Sequence, residues 1–485
     1  MSNELKRFLA IDQGTTSSRS IIFDSDLNPI KDSQKEYDLT YPEDGWVELN
    51  PDDIVNTVAH TLNNVINRND DIEACGITNQ RETTIVWSRI TGEPIYPGIV
   101  WQDRRTTKIC SQLKLEGHEE KVKQKTGLVL DPYFSATKIQ WILDNVKGAR
   151  KKANKGELMF GTVDSYLIYK LTNEKKHLTD VTNASRTLLF NIHSMEWDED
   201  LMNLFNIPMS MMPEVKDCDS EFGTLSISDI EIPIKGVIGD QQAALVGQNC
   251  FKDGDMKSTY GTGCFLMVNT NQNIISVDEG LLTTVAYKIN NEVHYAIEGS
   301  IYSCGNIIKW LRDKMKFFEN SKDSEDFLRK DGNSNNVLFL PAFNGLGAPY
   351  WNSEIRGGFY GITQDTSIED MATAAFQSVA FQTKDITNII SLYDIKIQKL
   401  LVDGGMVSNK TFCQVLADTL QIEIVKPKNV ESTAIGACKI AMLSSGMSIE
   451  NLSKNEISYK VNKDRKGVYF RNYSKWQEYL LNTIK

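Results

Sequence analysis

Residues Phe8–Asp26 read FLAIDQGTTSSRSIIFDSD, and the way this stretch folds decides the reading of the whole chain. Two apolar runs, Phe8–Ile11 and Ser20–Phe23, have the composition of strands. Between them stand an acid, an amide, a glycine, four hydroxyls and an arginine. A bend of Gly, Thr and Ser lets backbone N–H groups and hydroxyls converge on an anion, because glycine permits the conformation and short side chains permit close approach. Phosphate suits such donors. Asp12 then stands awkwardly beside phosphate oxygens unless a divalent cation lies between them, and Mg²⁺ prefers oxygen ligands. Arg19 adds positive charge. Ordinary hairpins also use Gly-Thr-Thr bends, so this stretch alone leaves both readings open.

Two more segments bear on the choice. MKSTYGTGCFLMVNT, Met256–Thr270, repeats the order strand, Gly/Thr bend, strand, and each copy can open one lobe of an α/β protein. The boundary then falls near residue 250, after VIGDQQAALVG. VDGGMVSN puts Gly404 and Gly405 after a strand ending at Asp403, where a flat ligand or a ribose can approach the backbone. Asn409 there also suits a helix cap. Strand and helix patterns alternate elsewhere. In NPDDIVNTVAHTLNNV, Asn50 can cap, Pro51 suits the first helical position, and Asp52 and Asp53 suit the positive helix end. The chain contains no GxxxxGK[ST], no HRD with DFG and no complete GxGxxG, which excludes P-loop and protein-kinase ATP sites.

At 485 residues the chain is too long for one core. A net charge of -11 disfavours a nucleic-acid partner, which needs clustered Lys and Arg. The short run Phe8–Ile11 is no secretory segment, and no 18-residue apolar stretch occurs, so the expectation is a cytoplasmic protein without membrane insertion. The eight cysteines are dispersed without a C-x-x-C pair, which signals neither a disulfide framework nor a zinc site.

A second set of residues suits a small polyhydroxylated ligand. Arg81 and Glu82 in ACGITNQRETTIVW offer donors and acceptors side by side, provided that the strand has ended before them. Trp101, Tyr133 and Phe265 can wall its carbon skeleton, although each also suits a core. Asp240 follows a hydrophobic strand and opens an Ala-rich helix, either as its cap or as a general base toward a hydroxyl.

These segments, with TGLVLDPYFSATKIQWILD, FGTVDSYLIYKLT, VTNASRTLLFNIH, GLLTT and NGLGAPYW, resemble the glycerol-phosphorylating branch of the FGGY sugar-kinase family, within the actin and Hsp70-like ATPase fold. The resemblance runs from about Phe8 to about Gly446. It implies two ribonuclease-H-like lobes, residues 1–250 and 251–485, closing on a cleft where ATP donates its γ-phosphate to glycerol. It implies that Arg81, Glu82, Trp101, Tyr133, Asp240, Gln241 and Phe265 hold the acceptor, with Asp240 as base. Thr15, Thr16, Ser17, Arg19 and Thr262 would contact phosphates, Asp12 would organise Mg²⁺, and Gly305, Lys309, Gly405 and Asn409 would line the adenosine pocket. A homodimer or homotetramer is implied as well.

The chain departs from the family pattern in three places. Lys309 stands where a glutamine is expected beside adenine. The segment between Ser220 and Gly236 lacks the Gly/Arg pattern of relatives inhibited by fructose 1,6-bisphosphate. No histidine lies between His193 and His294, which argues against loop-histidine phosphorylation. Two alternatives stay open: a related kinase acting on another polyol or a ketose, and an ATPase that switches a protein-binding surface.

Overall fold

The first hairpin is tighter than its composition suggests. In the computed structural model, which describes residues 6–173, 175–227, 229–343, 345–352, 354–428, 431–449 and 456–484, β1 (Arg7–Gln13) and β2 (Ser17–Asp24) pair antiparallel around a bend of only Gly14, Thr15 and Thr16. Asp12 and Arg19 are therefore strand residues, directly opposite each other in the ladder. Alternation then divides the hydroxyls. Ser18 and Ser20 point inward and share 2.8 Å hydrogen bonds with Thr57 and Thr61 of α1 (Pro51–Val65), leaving Thr15, Thr16 and Ser17 at the open end. Helix α1 starts as its sequence indicates: Pro51 is its first residue, and the Asn50 side chain accepts from the Asp52 N–H.

β3 (Pro29–Glu36) extends the hairpin, and β4 (Ala74–Asn79) pairs parallel with β1. On the far side lies a hairpin of β5 (Thr224–Ile227) and β6 (Ile230–Gly239), giving the sheet order β5-β6-β4-β1-β2-β3. The segment between Ser220 and Gly236 is thus largely this hairpin; its Ser228 lies outside the described residues. Helix α2 (Asp240–Gly247) follows at once.

The pattern repeats. β7 (Met256–Tyr260) and β8 (Cys264–Asn271) pair antiparallel around Gly261–Gly263. β9 (Leu282–Ile289) and β10 (Glu292–Ile301) extend that side. Helix α3 (Gly305–Asp313) and the long α4 (Ile368–Ile390) follow, before β11 (Lys399–Asp403) pairs parallel with β7. Helix α5 (Lys410–Leu420), β12 (Glu423–Pro427), helix α6 (Ser432–Ser444) and β13 (Glu456–Tyr459) complete a sheet of order β9-β10-β8-β7-β11-β12-β13. In both sheets an antiparallel hairpin is flanked by a parallel strand on its first-strand side, so the ribonuclease-H-like order occurs twice in one α/β chain.

Helix α6 crosses to the first sheet, which its position in the chain does not announce. It packs on β4, β1 and β6 and against α2. Small residues make this approach possible: a Cβ on Gly436 would lie 1.9 Å from the Ala243 carbonyl oxygen, and one on Gly76 would lie 2.1 Å from that of Ala437. The helix that starts at Asp240 is therefore clamped from behind by the C-terminal part of the chain. All eight cysteines are buried free thiols, as their dispersed spacing implies. No helix among the described residues is long and apolar enough to cross a membrane. Asn344, in the NGLGAPYW segment, lies outside the described residues.

Candidate active site

The two bends face one cavity of about 160 Å³. Thr15 lines it from the first bend, and Gly261, Thr262 and Gly263 line it from the second. Arg81, Glu82, Asp240 and Gln241 supply polar walls, with Trp101, Tyr133 and Phe265 as aromatic ones. Trp101 stands edge-on to Tyr133, with ring centroids 5.7 Å apart, and to Phe265 at 5.8 Å, so aromatic packing joins the two halves of the molecule. The Trp101 indole N–H donates to Thr15 Oγ1 at 3.0 Å, tying the cavity wall to the first bend.

Strand β4 ends at Asn79, and Glu82 adopts a left-handed backbone with φ of 61°. That turn lets the adjacent Arg81 and Glu82 both face the cavity, which a continuing strand would forbid. The Arg81 guanidinium donates to both oxygens of Glu298, at 2.7 and 2.9 Å, and to Gln242 Oε1 at 3.1 Å. Arg186 donates to Glu82 at 2.7 Å and to Glu298 at 3.0 Å. All four of these charged side chains are buried, and the two arginines balance the two glutamates. Burial opposes ionisation of Glu298, but Arg186 and Arg81 outweigh it and hold its carboxyl at about 2.

Asp240 is the first residue of α2 rather than its cap, which is Gly239. Its Oδ1 accepts the Gln241 N–H at 2.7 Å and lies 3.4 Å from Arg81 Nε. Burial pushes its carboxyl above the usual aspartate range, while Arg81 and Lys257 oppose the shift. Lys257, on β7, is fully buried and donates to Gln241 Oε1 at 2.6 Å and to Thr259 Oγ1 at 3.2 Å. Asp12 stands close by. Burial, then Asp240 and Glu431, push its carboxyl up to about 7, and Arg19 opposes them. Such a crowd of carboxylates favours a cation. Among the described residues no group of three or more metal-ligating side chains occurs, so a cation at Asp12 would take its other ligands from water and phosphate. That oxygen-only, water-rich coordination fits Mg²⁺.

The family model for the N-terminal domain of the FGGY family of carbohydrate kinases matches residues 7–247, and the model for the C-terminal domain matches 256–445. The chain belongs to the FGGY family of carbohydrate kinases. This FGGY kinase is 48% identical over 482 residues to a glycerol kinase of Marinomonas sp. (strain MWYL1), covering 97% of both chains. It is 50% identical over 465 residues to a glycerol kinase of Fusobacterium nucleatum, covering 94% of this chain and 93% of that one. Among solved structures, that of Plasmodium falciparum glycerol kinase with ADP superposes with a TM-score of 0.90 at 34% identity, over 99% of both chains. A gluconate kinase of Lactobacillus acidophilus, at 21% identity and a TM-score of 0.87 over 99% of both chains, shares the fold. The architecture is thus the two-lobed actin-like ATPase fold of the FGGY kinases.

Of the residues expected at the nucleotide, Thr15 and Thr262 line the cavity and the others stand around it. Thr16 is exposed at the first bend and Ser17 begins β2. Arg19 reaches Asp32 at 3.0 Å and Glu431, just before α6, at 2.6 Å. Gly305 opens α3, and its N–H donates to the Gly261 carbonyl at 2.8 Å, joining the helix to the second bend. Lys309 is exposed on α3 and Gly405 is exposed after β11. Asn409 caps α5, accepting the Phe412 N–H at 2.9 Å. Sequence reasoning missed Lys257, Arg186 and Glu298. For Glu298 and Lys257 the available signal was a lone charge inside a strand, as in HYAIEGSIY, which in a globular protein marks a buried, partnered ion; Arg186, in a turn, carries no such signal.

Proposed function

We propose that this FGGY kinase transfers the γ-phosphoryl group of ATP to a terminal hydroxyl of glycerol, forming sn-glycerol 3-phosphate and ADP. The observation that carries the reading is one small cavity lined by Arg81, Glu82, Asp240 and Gln241 together with the aromatic Trp101, Tyr133 and Phe265, with both Gly/Thr bends opening onto it. The named activity of relatives near 48% identity over almost the whole chain supports it.

In this reading Arg81, Glu82 and Gln241 bind the acceptor hydroxyls, while Trp101, Tyr133 and Phe265 cover its carbon chain. The acceptor oxygen forms a bond to the γ-phosphorus, the bond to the β,γ-bridging oxygen breaks, and the hydroxyl proton passes to Asp240. Thr15, Thr16, Ser17, Arg19 and Thr262 donate to phosphate oxygens; Gly305, Lys309, Gly405 and Asn409 border the adenosine. Mg²⁺ held by Asp12 would neutralise phosphate charge. Such a transfer depends mainly on alignment and charge neutralisation, which two facing bends can deliver. Residues 1–250 form the glycerol-binding lobe and residues 251–485 the adenosine-binding lobe, both contacting phosphate, in a cytoplasmic homodimer or homotetramer.

Acceptor-dependent ADP release, measured with a panel of polyols and ketoses, tests the proposal. Glycerol should give the highest kcat/KM, and preference for a pentulose or hexulose would overturn the assignment. Asp240→Asn should lower kcat by about 10²- to 10⁴-fold with nucleotide still bound; retained turnover would remove Asp240 as base.

A further inference from the structure

Three carboxylates lie around the Arg81 guanidinium: Glu298, Asp240 and Glu82, whose Oε1 is 3.7 Å from Nε. Glu298, from β10 of the second sheet, holds its forked end at 2.7 and 2.9 Å, and Asp240 Oδ1 reaches only its flank, 3.4 Å from Nε. Glu298 lies 217 residues from Arg81 in the chain and does not line the cavity. It also holds Arg186, whose Nε holds Glu82. Both charged groups that the cavity offers an acceptor beside Asp240 are therefore aimed, directly or through Arg186, by one carboxylate from the opposite sheet. A bidentate carboxylate fixes the plane of a guanidinium, which a single contact does not.

We propose that Glu298 is a positioning residue: it aims Arg81 at the acceptor and, by occupying the forked end of that guanidinium, keeps Arg81 from closing onto Asp240, so the base stays free to take a proton. Remove the charge of Glu298, and the two buried arginines are left with Glu82 and Asp240. Asp240 Oδ1 is nearer Arg81 Nε, at 3.4 Å, than Glu82 Oε1, at 3.7 Å, and Arg186 already holds Glu82, so Asp240 is the carboxylate on which Arg81 can close. The charged groups around Asp240 are Arg81 after β4, Lys257 on β7, Glu298 on β10 and Asp12 on β1. Loss of Glu298 leaves positive charge in excess among them, which favours ionised Asp240 and ties it to Arg81.

The inference rests on the glycerol-kinase reading, and two substitutions in the full-length enzyme separate its parts. Glu298→Gln keeps the shape and removes the charge; Glu298→Asp keeps the charge and shortens the fork. Wild type and both variants are compared for glycerol KM, ATP KM, kcat and the acid limb of kcat/KM against pH, with thermal unfolding as a check on folding. Glu298→Gln should raise glycerol KM by about 30-fold or more, lower kcat, leave ATP KM within about twofold, and move the acid limb to lower pH. Glu298→Asp should raise glycerol KM while the acid limb stays in place, and it tests the aiming role even if the Gln variant does not fold. A folded variant with unchanged glycerol KM, or with equal rises in both KM values, overturns the proposal. Wild type that ignores glycerol overturns the functional reading instead; the acceptor it does use then takes glycerol's place in the same comparison.

Discussion

The two bends share length and composition yet are built differently. Gly14–Thr16 is flanked by charge: Asp12 and Arg19 face each other across the ladder, and Arg19 is held by Asp32 and Glu431. Backbone holds both bends, the Tyr37 N–H donating to Thr16 in the first, and the Gly305 and Cys304 N–H groups to Gly261 and Thr262 in the second, but Gly261–Gly263 has no flanking ion pair across its ladder. Space differs in the same sense. A Cβ on Gly14 would meet nothing closer than the Ser17 carbonyl oxygen at 3.4 Å, whereas one on Gly263 would lie 2.8 Å from the Ile301 carbonyl oxygen. The first bend is thus set among charges and leaves room for small steric change. The second is uncharged and open at Gly261, where a Cβ would meet nothing closer than 3.8 Å, but closed at Gly263.

The sharpest test is Asp12→Asn. If the first bend works through a metal, kcat should fall by about 10²- to 10³-fold, and raising Mg²⁺ should recover little. Normal Mg²⁺ dependence in that variant would erase the distinction between the bends. Next comes Gly263→Ala, expected to raise ATP KM by roughly 30-fold, because backbone rather than a flexible side chain blocks the added methyl. An intermediate effect comes from pH. The Asp12 carboxyl is raised to about 7, so protons compete with Mg²⁺ as pH falls through that value. Titrations should find Mg²⁺ bound about tenfold more weakly at pH 6 than well above 7. Weaker binding at high pH would contradict the sign. The smallest effect belongs to Gly14→Ala, which should change ATP KM by no more than about twofold; a change as large as that of Gly263→Ala would show that shape governs both bends.

Much of the site is legible in the chain because its signals are local. The Gly/Thr bends, the polar pair past β4 and the acid at the head of α2 all depend on neighbours within a few residues. The apparent eight-residue bend at Asp12–Arg19 misleads for an equally local reason. Polar residues read as bend, but Asp12, Gln13, Ser17, Ser18 and Arg19 are strand residues, and the Ser18 hydroxyl is satisfied by Thr57 of a helix packed on the sheet. The sequence shows Glu298 and Lys257 as charges within strands but not what they hold, since Arg81 lies 217 residues from Glu298 and Gln241 is on a different element from Lys257. The crossing of α6 to the first sheet was equally hidden, since Gly76 and Gly436 reveal their purpose only when another backbone arrives against them.

By itself, then, the sequence determined the alternation of strands and helices, the two hairpins and the residue types that can handle phosphate and a hydroxyl, since these follow from spacing and backbone preference over short distances. Only the tertiary structure decided which charges meet. Burial makes an unpaired ion costly, so the charges in the cavity wall need partners, and these come from distant parts of the chain: Glu298 of the opposite sheet for Arg81, and Arg186, in a turn outside both sheets, for Glu82.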